Sequence, residues 1–153
     1  MEFRGDEVKV AIIYGSKSDE EVMNGASEAL DKFSIEYEVF VISAHRNPKL
    51  LLETIERVEK LGCECIISGA GLSAHLPGFI ASNTILPVIG VPINVELNGF
   101  DSLLSIVQMP KPIPVATVGI NNSYNAGILA AQILSLKYKS IKESLIKYRT
   151  VES

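Results

Sequence analysis

Ser43-Ala44-His45-Arg46-Asn47-Pro48 sets a histidine beside an arginine at the end of an apolar stretch, and His45 is one of only two histidines among 153 residues. Histidine is the side chain whose unperturbed pKa lets it trade protons near neutral pH. Arginine offers a fixed fork of donors that suits a phosphate or a carboxylate. At the carboxyl end of a strand, the two read as a loop that grips an anion and moves a proton. The competing reading is a pair of solvated loop residues. Asn47 followed by Pro48 also reads as a helix cap with proline at the first helical position.

Two further segments carry polar chemistry. Gly15-Ser16-Lys17-Ser18-Asp19 joins a strand to a helix, so its hydroxyls and the helix N-terminus favour an anion. It lacks the second glycine and the ending of a Walker motif and is not a dinucleotide fingerprint. Ser18 or Asp19 serving only as a helix cap is the equal alternative. A carboxylate repels phosphate, so Asp19 against a nucleotide would accept hydrogen bonds from ribose hydroxyls. Gly69-Ala70-Gly71-Leu72-Ser73-Ala74-His75-Leu76-Pro77-Gly78 holds the second histidine. Gly69 and Gly71 let backbone approach a ligand, and Ala70, Ser73 and Ala74 could shape a narrow pocket. His75 either acts with His45 or anchors the loop by a hydrogen bond. The flanking leucine and proline suggest burial and favour anchoring. The two histidines have no carboxylate or cysteine spaced to complete a metal site.

Positioning these loops requires a scaffold of alternating elements. Strands are expected at Val8–Tyr14, Tyr37–Ile42, Cys65–Ser68, Val88–Val91 and Val115–Val118, each β-branched or aromatic and closed by glycine, serine or proline. Helices are expected at about Asp19–Phe33, Pro48–Leu61, Leu76–Ser82, Ser102–Gln108 and Asn125–Leu136. Near-continuous apolar strands imply a parallel sheet covered on both faces. Strict β-α alternation makes it an open doubly wound α/β sheet, since a barrel needs eight repeats. Ligands bind such sheets at the carboxyl ends of the strands. Every polar cluster falls there, including Pro92-Ile93-Asn94 and Gly119-Ile120-Asn121-Asn122, so five loops can converge on one rim.

Residues 8–153 are expected to form one domain behind a frayed start over residues 1–7. Apolar residues make up 47% of the chain and mean hydropathy is +0.25. No run reaches the roughly 18 residues of a membrane span, and the charged start is not a signal peptide. The excess apolar surface is therefore expected between subunits. Asn125–Leu134 is apolar almost all round, which fits burial, with subunit packing as its expected place. The tail Tyr138–Tyr148 is more amphipathic and could wrap a neighbour or its own sheet. A net charge of -4 gives no footprint for nucleic acid. Cys63 and Cys65 are the only cysteines. In a strand both would face the same way, and they read as small core residues of a reduced cytoplasmic protein.

Taken in order, these motifs resemble a known family. Gly15-Ser16-x-Ser18-Asp19, Ser43-Ala44-His45-Arg46-x-Pro48 and Gly69-Ala70-Gly71-x-x-Ala74-His75-Leu76-Pro77-Gly78 are followed by Leu86 to Pro92, Asp101 to Pro110, Pro114 to Val118 and Asn125-Ala126-Gly127. The set is similar to that of the N5-carboxyaminoimidazole ribonucleotide mutases of de novo purine biosynthesis, from about Val8 to Tyr148. The resemblance implies a flavodoxin-like three-layer αβα sandwich with a central parallel sheet, assembled as a homo-octamer in the cytoplasm. It implies transfer of a carboxyl group from the exocyclic nitrogen to a ring carbon, with no metal, ATP or organic cofactor. His45 takes the general acid/base position, and His75 the histidine of the loop closing over the imidazole. Substrate binding falls to Gly15, Ser16, Ser18, Asp19, Ser43, Ala44, Arg46, Gly69, Ala70, Gly71, Leu72, Ser73, Ala74 and Leu76. Partners are the ribonucleotide, carbon dioxide and, through the pathway, an ATP-dependent synthase of the substrate.

Release and recapture of carbon dioxide fits these residue types. The nitrogen gains a proton as carbon dioxide leaves, and the ring carbon loses one after attack, so one histidine can serve both steps. A small pocket would hold the carbon dioxide close. The chain departs from the family where Leu72-Ser73 replace Gly-Ala, and a positive φ at position 72 would strain leucine. Lys111-Pro112 stand where the family often has a glycine-containing turn. A carboxylase using free carbon dioxide and aminoimidazole ribonucleotide is the near alternative, and Arg46 with His75-Leu76-Pro77-Gly78 points away from it. A non-catalytic nucleotide-binding scaffold is the distant one.

Overall fold

The computed structural model describes residues 7–151. Five strands are β1 (Val8–Tyr14), β2 (Glu36–Val41), β3 (Cys65–Gly71), β4 (Val88–Ile93) and β5 (Ala116–Thr117). They alternate with α1 (Glu20–Lys32), α2 (Pro48–Lys60), α3 (Leu76–Ala81), α4 (Phe100–Val107), α5 (Ser123–Ser135) and α6 (Lys139–Val151). All pairings are parallel, in the order β2-β1-β3-β4-β5. That is the flavodoxin-like order, and its direction of winding reverses between β1 and β3. Tyr14 stands level with Val41 on one side and Gly69 on the other. The loops leaving β1, β2 and β3 therefore share one edge of the sheet.

Alternation along each strand divides the core in two. Val10, Ile12, Cys65, Ile67, Ile89 and Val91 pack beneath α1, α5 and α6. Ala11, Ile13, Ile66 and Val88 pack beneath α2, α3 and α4 with Leu51, Ile55, Ile80 and Ile106. α1 and α5 lie so close that a Cβ on Gly127 would fall 2.6 Å from Ala29 Cβ and 2.7 Å from Ala26 O. Small residues at Ala26, Ala29, Gly127 and Ala130 permit that approach, which buries one face of α5 within its own chain. The tail also packs on its own chain: Ile141 and Leu145 join the core, and Tyr148 meets Phe33 edge-on at 5.5 Å.

The expected elements differ from the observed ones in informative places. β3 runs on through Gly71 because Gly69, Ala70 and Gly71 pair with Val91, Pro92 and Ile93 of β4, although glycines read locally as a loop. β5 is cut to two residues. α4 starts at Phe100, after Gly99 at φ 80°. Lys111-Pro112 is a cis peptide between α4 and β5. Cys63 and Cys65 do not share a face: Cys63 precedes β3 and packs under α2, while Cys65 faces the other cluster. Both are buried free thiols, pushed by burial to about 11 and about 12. The frayed start, apart from Glu7, lies outside the described residues.

Glu64 ties the start of β3 to the helix pair at the C-terminus. It accepts hydrogen bonds from the Tyr138 hydroxyl and from Lys137 Nζ at 2.9 Å, with Lys9 Nζ at 3.6 Å. Burial alone would raise its pKa, but the Tyr138 and Lys137 bonds and both lysine charges hold it below the ordinary value. A depressed folded-state pKa stabilises the fold above the unfolded value, and that stability is lost as pH falls through the folded one. Glu64→Gln is expected to cost about 1 kcal/mol at neutral pH. Urea titrations should show the gap from wild type closing as pH drops below 4.5, the ordinary glutamate value; a gap independent of pH would contradict this.

Candidate active site

The shared edge carries a cavity of about 230 Å³ built from three loops. Gly15, Ser16 and Asp19 come from the β1 loop; Ser43, Ala44, His45 and Arg46 from the β2 loop; and residues 70–76 from the β3 loop. Of the residues expected at the site, Ser18 and Gly69 do not line it. Ser18 stands behind Ser16, with the two hydroxyls 2.9 Å apart and its N–H donating to Ser16 Oγ at 3.3 Å. Gly69 is buried on the opposite face, where a Cβ would fall 2.3 Å from Met23 Sδ.

Each loop holds its side chains by short-range bonds. Ser16 caps a single 3₁₀ turn over Lys17–Asp19 that precedes α1. Asp19 makes no side-chain cap bond to α1, so its carboxylate is not spent on its own helix. Burial raises its pKa above the ordinary value, against a bond with the Ser16 backbone that lowers it. Asn47 caps α2 through Leu50 N–H at 3.3 Å, with Pro48 in the first turn as the sequence suggests. Arg46 N–H donates to Ser43 Oγ at 3.3 Å. Its guanidinium meets no carboxylate among the described residues.

The two histidines meet directly. His45 Nε2 lies 2.8 Å from His75 Nδ1, with the rings edge to face at 80°. The expected burial of His75 is not observed: Leu76 and Pro77 turn into the core while His75 stays exposed. Leucine and proline beside it signalled the helix start rather than the histidine's surroundings. Leu72 adopts φ 56°, in the left-handed region, and remains 48% exposed on the cavity wall. That conformation costs a non-glycine residue roughly 1–2 kcal/mol. Val95 is a neighbour that the motifs did not mark: its Cγ2 lies 2.6 Å from where a Gly71 Cβ would be.

Sequence comparison matches residues 9–153 to a family described as AIR carboxylase. The chain belongs to the AIR carboxylase family. N5-carboxyaminoimidazole ribonucleotide mutase of Pyrococcus abyssi is 58% identical over 92% of this chain and 82% of its own. The Thermotoga maritima mutase of the same name is 55% identical over 92% of this chain and 83% of its own. Among solved structures, PurE of Treponema denticola superposes with a TM-score of 0.86 at 30% identity, covering 94% of this chain and 90% of that one. The family therefore extends over the sheet and all three loops of the cavity. No helix among the described residues is long and apolar enough to cross a membrane.

Proposed function

We propose that this chain converts N5-carboxyaminoimidazole ribonucleotide to 4-carboxy-5-aminoimidazole ribonucleotide in de novo purine biosynthesis, with His45 as acid and base. The reading is carried by the 2.8 Å contact between His45 Nε2 and His75 Nδ1 on the wall of a cavity that also holds Arg46. With Nε2 committed to His75, Nδ1 is the His45 nitrogen left for substrate. A proton shared by the pair can then change the character of Nδ1.

The cycle balances on one proton. At the start His75 is doubly protonated and donates to His45 Nε2, so His45 carries its own proton on Nδ1. That proton passes to the exocyclic nitrogen as the N–C bond breaks and carbon dioxide leaves. The Nδ1-H of His75 crosses to His45 Nε2, leaving both rings neutral and His45 Nδ1 a base. The ring carbon attacks the retained carbon dioxide and its proton goes to Nδ1, while the Nε2 proton returns across the 2.8 Å contact to His75 Nδ1, which restores the starting state. No electron pair leaves the substrate and carbon dioxide together, so the reaction calls on no redox partner. Such positioned proton transfer contributes about a hundred- to ten-thousand-fold.

The other loops divide the remaining work. Arg46 and the Ser16 hydroxyl, backed by Ser18, hold the phosphate, and Asp19 accepts from the ribose. Ala70, Gly71, Ser73 and Ala74 confine carbon dioxide beside the ring, with Leu72 and Leu76 at the border. A cavity of about 230 Å³ is smaller than the roughly 300 Å³ where small-molecule sites begin. Val95, Leu97, Phe100, Leu104 and Val107, from the end of β4 into α4, are exposed apolar residues, and Val95 abuts Gly71 of the cavity. Both observations support assembly into the homo-octamer, with a neighbouring subunit completing the nucleotide site. The enzyme would work in the cytoplasm on the product of an ATP-dependent synthase.

The test is turnover of each substrate by one preparation whose mass is measured by sedimentation. The expected result is an octamer that isomerises the N5-carboxylated ribonucleotide. Turnover of aminoimidazole ribonucleotide with bicarbonate alone would establish the carboxylase instead. Binding of either compound without turnover would establish a scaffold.

A further inference from the structure

We infer that Asn121 is a positioning residue for the glycine loop, acting through Asn94 and Val95. Asn121 lies on the Gly119–Asn122 turn, outside the cavity, at φ 58°. Its N–H donates to Pro92 O at 2.8 Å, and its side-chain Oδ1 accepts from Asn94 N–H at 2.8 Å. Those two bonds flank Ile93 in the way a parallel-strand partner would, N–H to the residue before and oxygen from the residue after. In a strand the second bond would use the backbone carbonyl. Here the left-handed backbone departs from the strand, and the side-chain amide supplies the acceptor.

β5 has only two residues, so it supports β4 no further than Gly90, apart from Val118 N–H to Gly90 O at 3.1 Å. Asn121 carries the ladder onward past the end of β4. Ile120 reinforces the junction, its Cγ2 lying 2.6 Å from the Cβ position of Gly99. The segment held in this way delivers Val95 onto Gly71, filling the space a side chain there would take. Gly71 is followed directly by Leu72, the strained residue, and then by the turn to His75. Fixing Asn94 thus fixes the face against which the glycine loop rests. The ribonucleotide grips on the β1 and β2 loops are not touched by this chain of contacts.

The inference rests on the mutase reading for its kinetic arms, and two substitutions separate backbone from acceptor. Asn121→Gly keeps the left-handed conformation but removes the acceptor, whereas Asn121→Asp keeps both. In Asn121→Gly, kcat is expected to fall about tenfold through loss of loop geometry. KM should stay within about twofold, because substrate grips are intact. Amide exchange at Asn94, Gly71 and Leu72 should accelerate, and Asn121→Asp should restore both rate and protection. Should Asn121→Gly not fold, Val95→Ala must reproduce the kcat loss at constant KM with Asn94 still protected. Unchanged kcat, unaltered exchange, or an Asp variant as impaired as the Gly variant would overturn the inference. If the wild type itself fails to turn over the mutase substrate, the mutase reading is what has failed, and exchange at Asn94 and the glycine loop alone decides whether Asn121 holds them.

Discussion

Turnover in a His45→Asn variant is expected to fall by about a thousandfold, with ribonucleotide affinity and particle size preserved. His45 Nδ1 is left for substrate while its other nitrogen is joined to His75, which serves as the proton store. Asparagine at 45 keeps a polar side chain in the loop but can neither give nor take a proton. The proposed phosphate grip lies elsewhere, on Arg46 and the Ser16 turn, so binding should persist. Single-turnover kinetics with calorimetric binding measures both quantities on one sample. Undiminished turnover would remove His45 from the mechanism. Lost binding would make it a binding residue instead.

For Arg46→Ala the expected pattern is reversed. KM for the ribonucleotide should rise by about a hundredfold, the scale of a lost charge-assisted bidentate contact, while kcat changes little. The guanidinium has no carboxylate partner within the described chain, so its removal should leave thermal stability unchanged. Arg46→Lys keeps the charge but not the fork, and should recover only part of the affinity. A variant that lost kcat at constant KM would show Arg46 acting on the reacting groups rather than on the phosphate.

Much of this site is legible from local signals. Asn47-Pro48 announces a helix start and fixes where the β2 loop must lie, whereas after β1 the capping side chain is Ser16 rather than Ser18 or Asp19. Apolar strands separated by helical segments are enough for a parallel sheet with its loops on one rim. Local pattern fails where the deciding contact is distant in sequence. Gly69-Ala70-Gly71 reads as a loop because glycine weakens isolated strands, yet pairing with β4 draws it into the sheet. His75 reads as buried from its neighbours, but its place is set by His45, thirty residues away. Cys63 and Cys65 separate across the sheet because the strand begins only at the second of them. Asn121 falls in a polar cluster that the sequence placed on the binding rim, yet it lies outside the cavity; its role as acceptor for Asn94 N–H becomes necessary only once β5 is known to stop short.

The brevity of β5 also bears on how copies of this chain can associate. A long open edge invites another strand to pair with it, the route to fibrils and runaway sheets. On this side an incoming strand finds two residues of regular backbone, far fewer than the roughly five or six of an ordinary strand. Pro110, Pro112 and Pro114 approach it without N–H groups to donate, and Asn121 turns the chain away after it. The sheet therefore offers little to continue from one subunit into the next across β5. Any assembly on this side must be built from helices and loops rather than by extending the sheet.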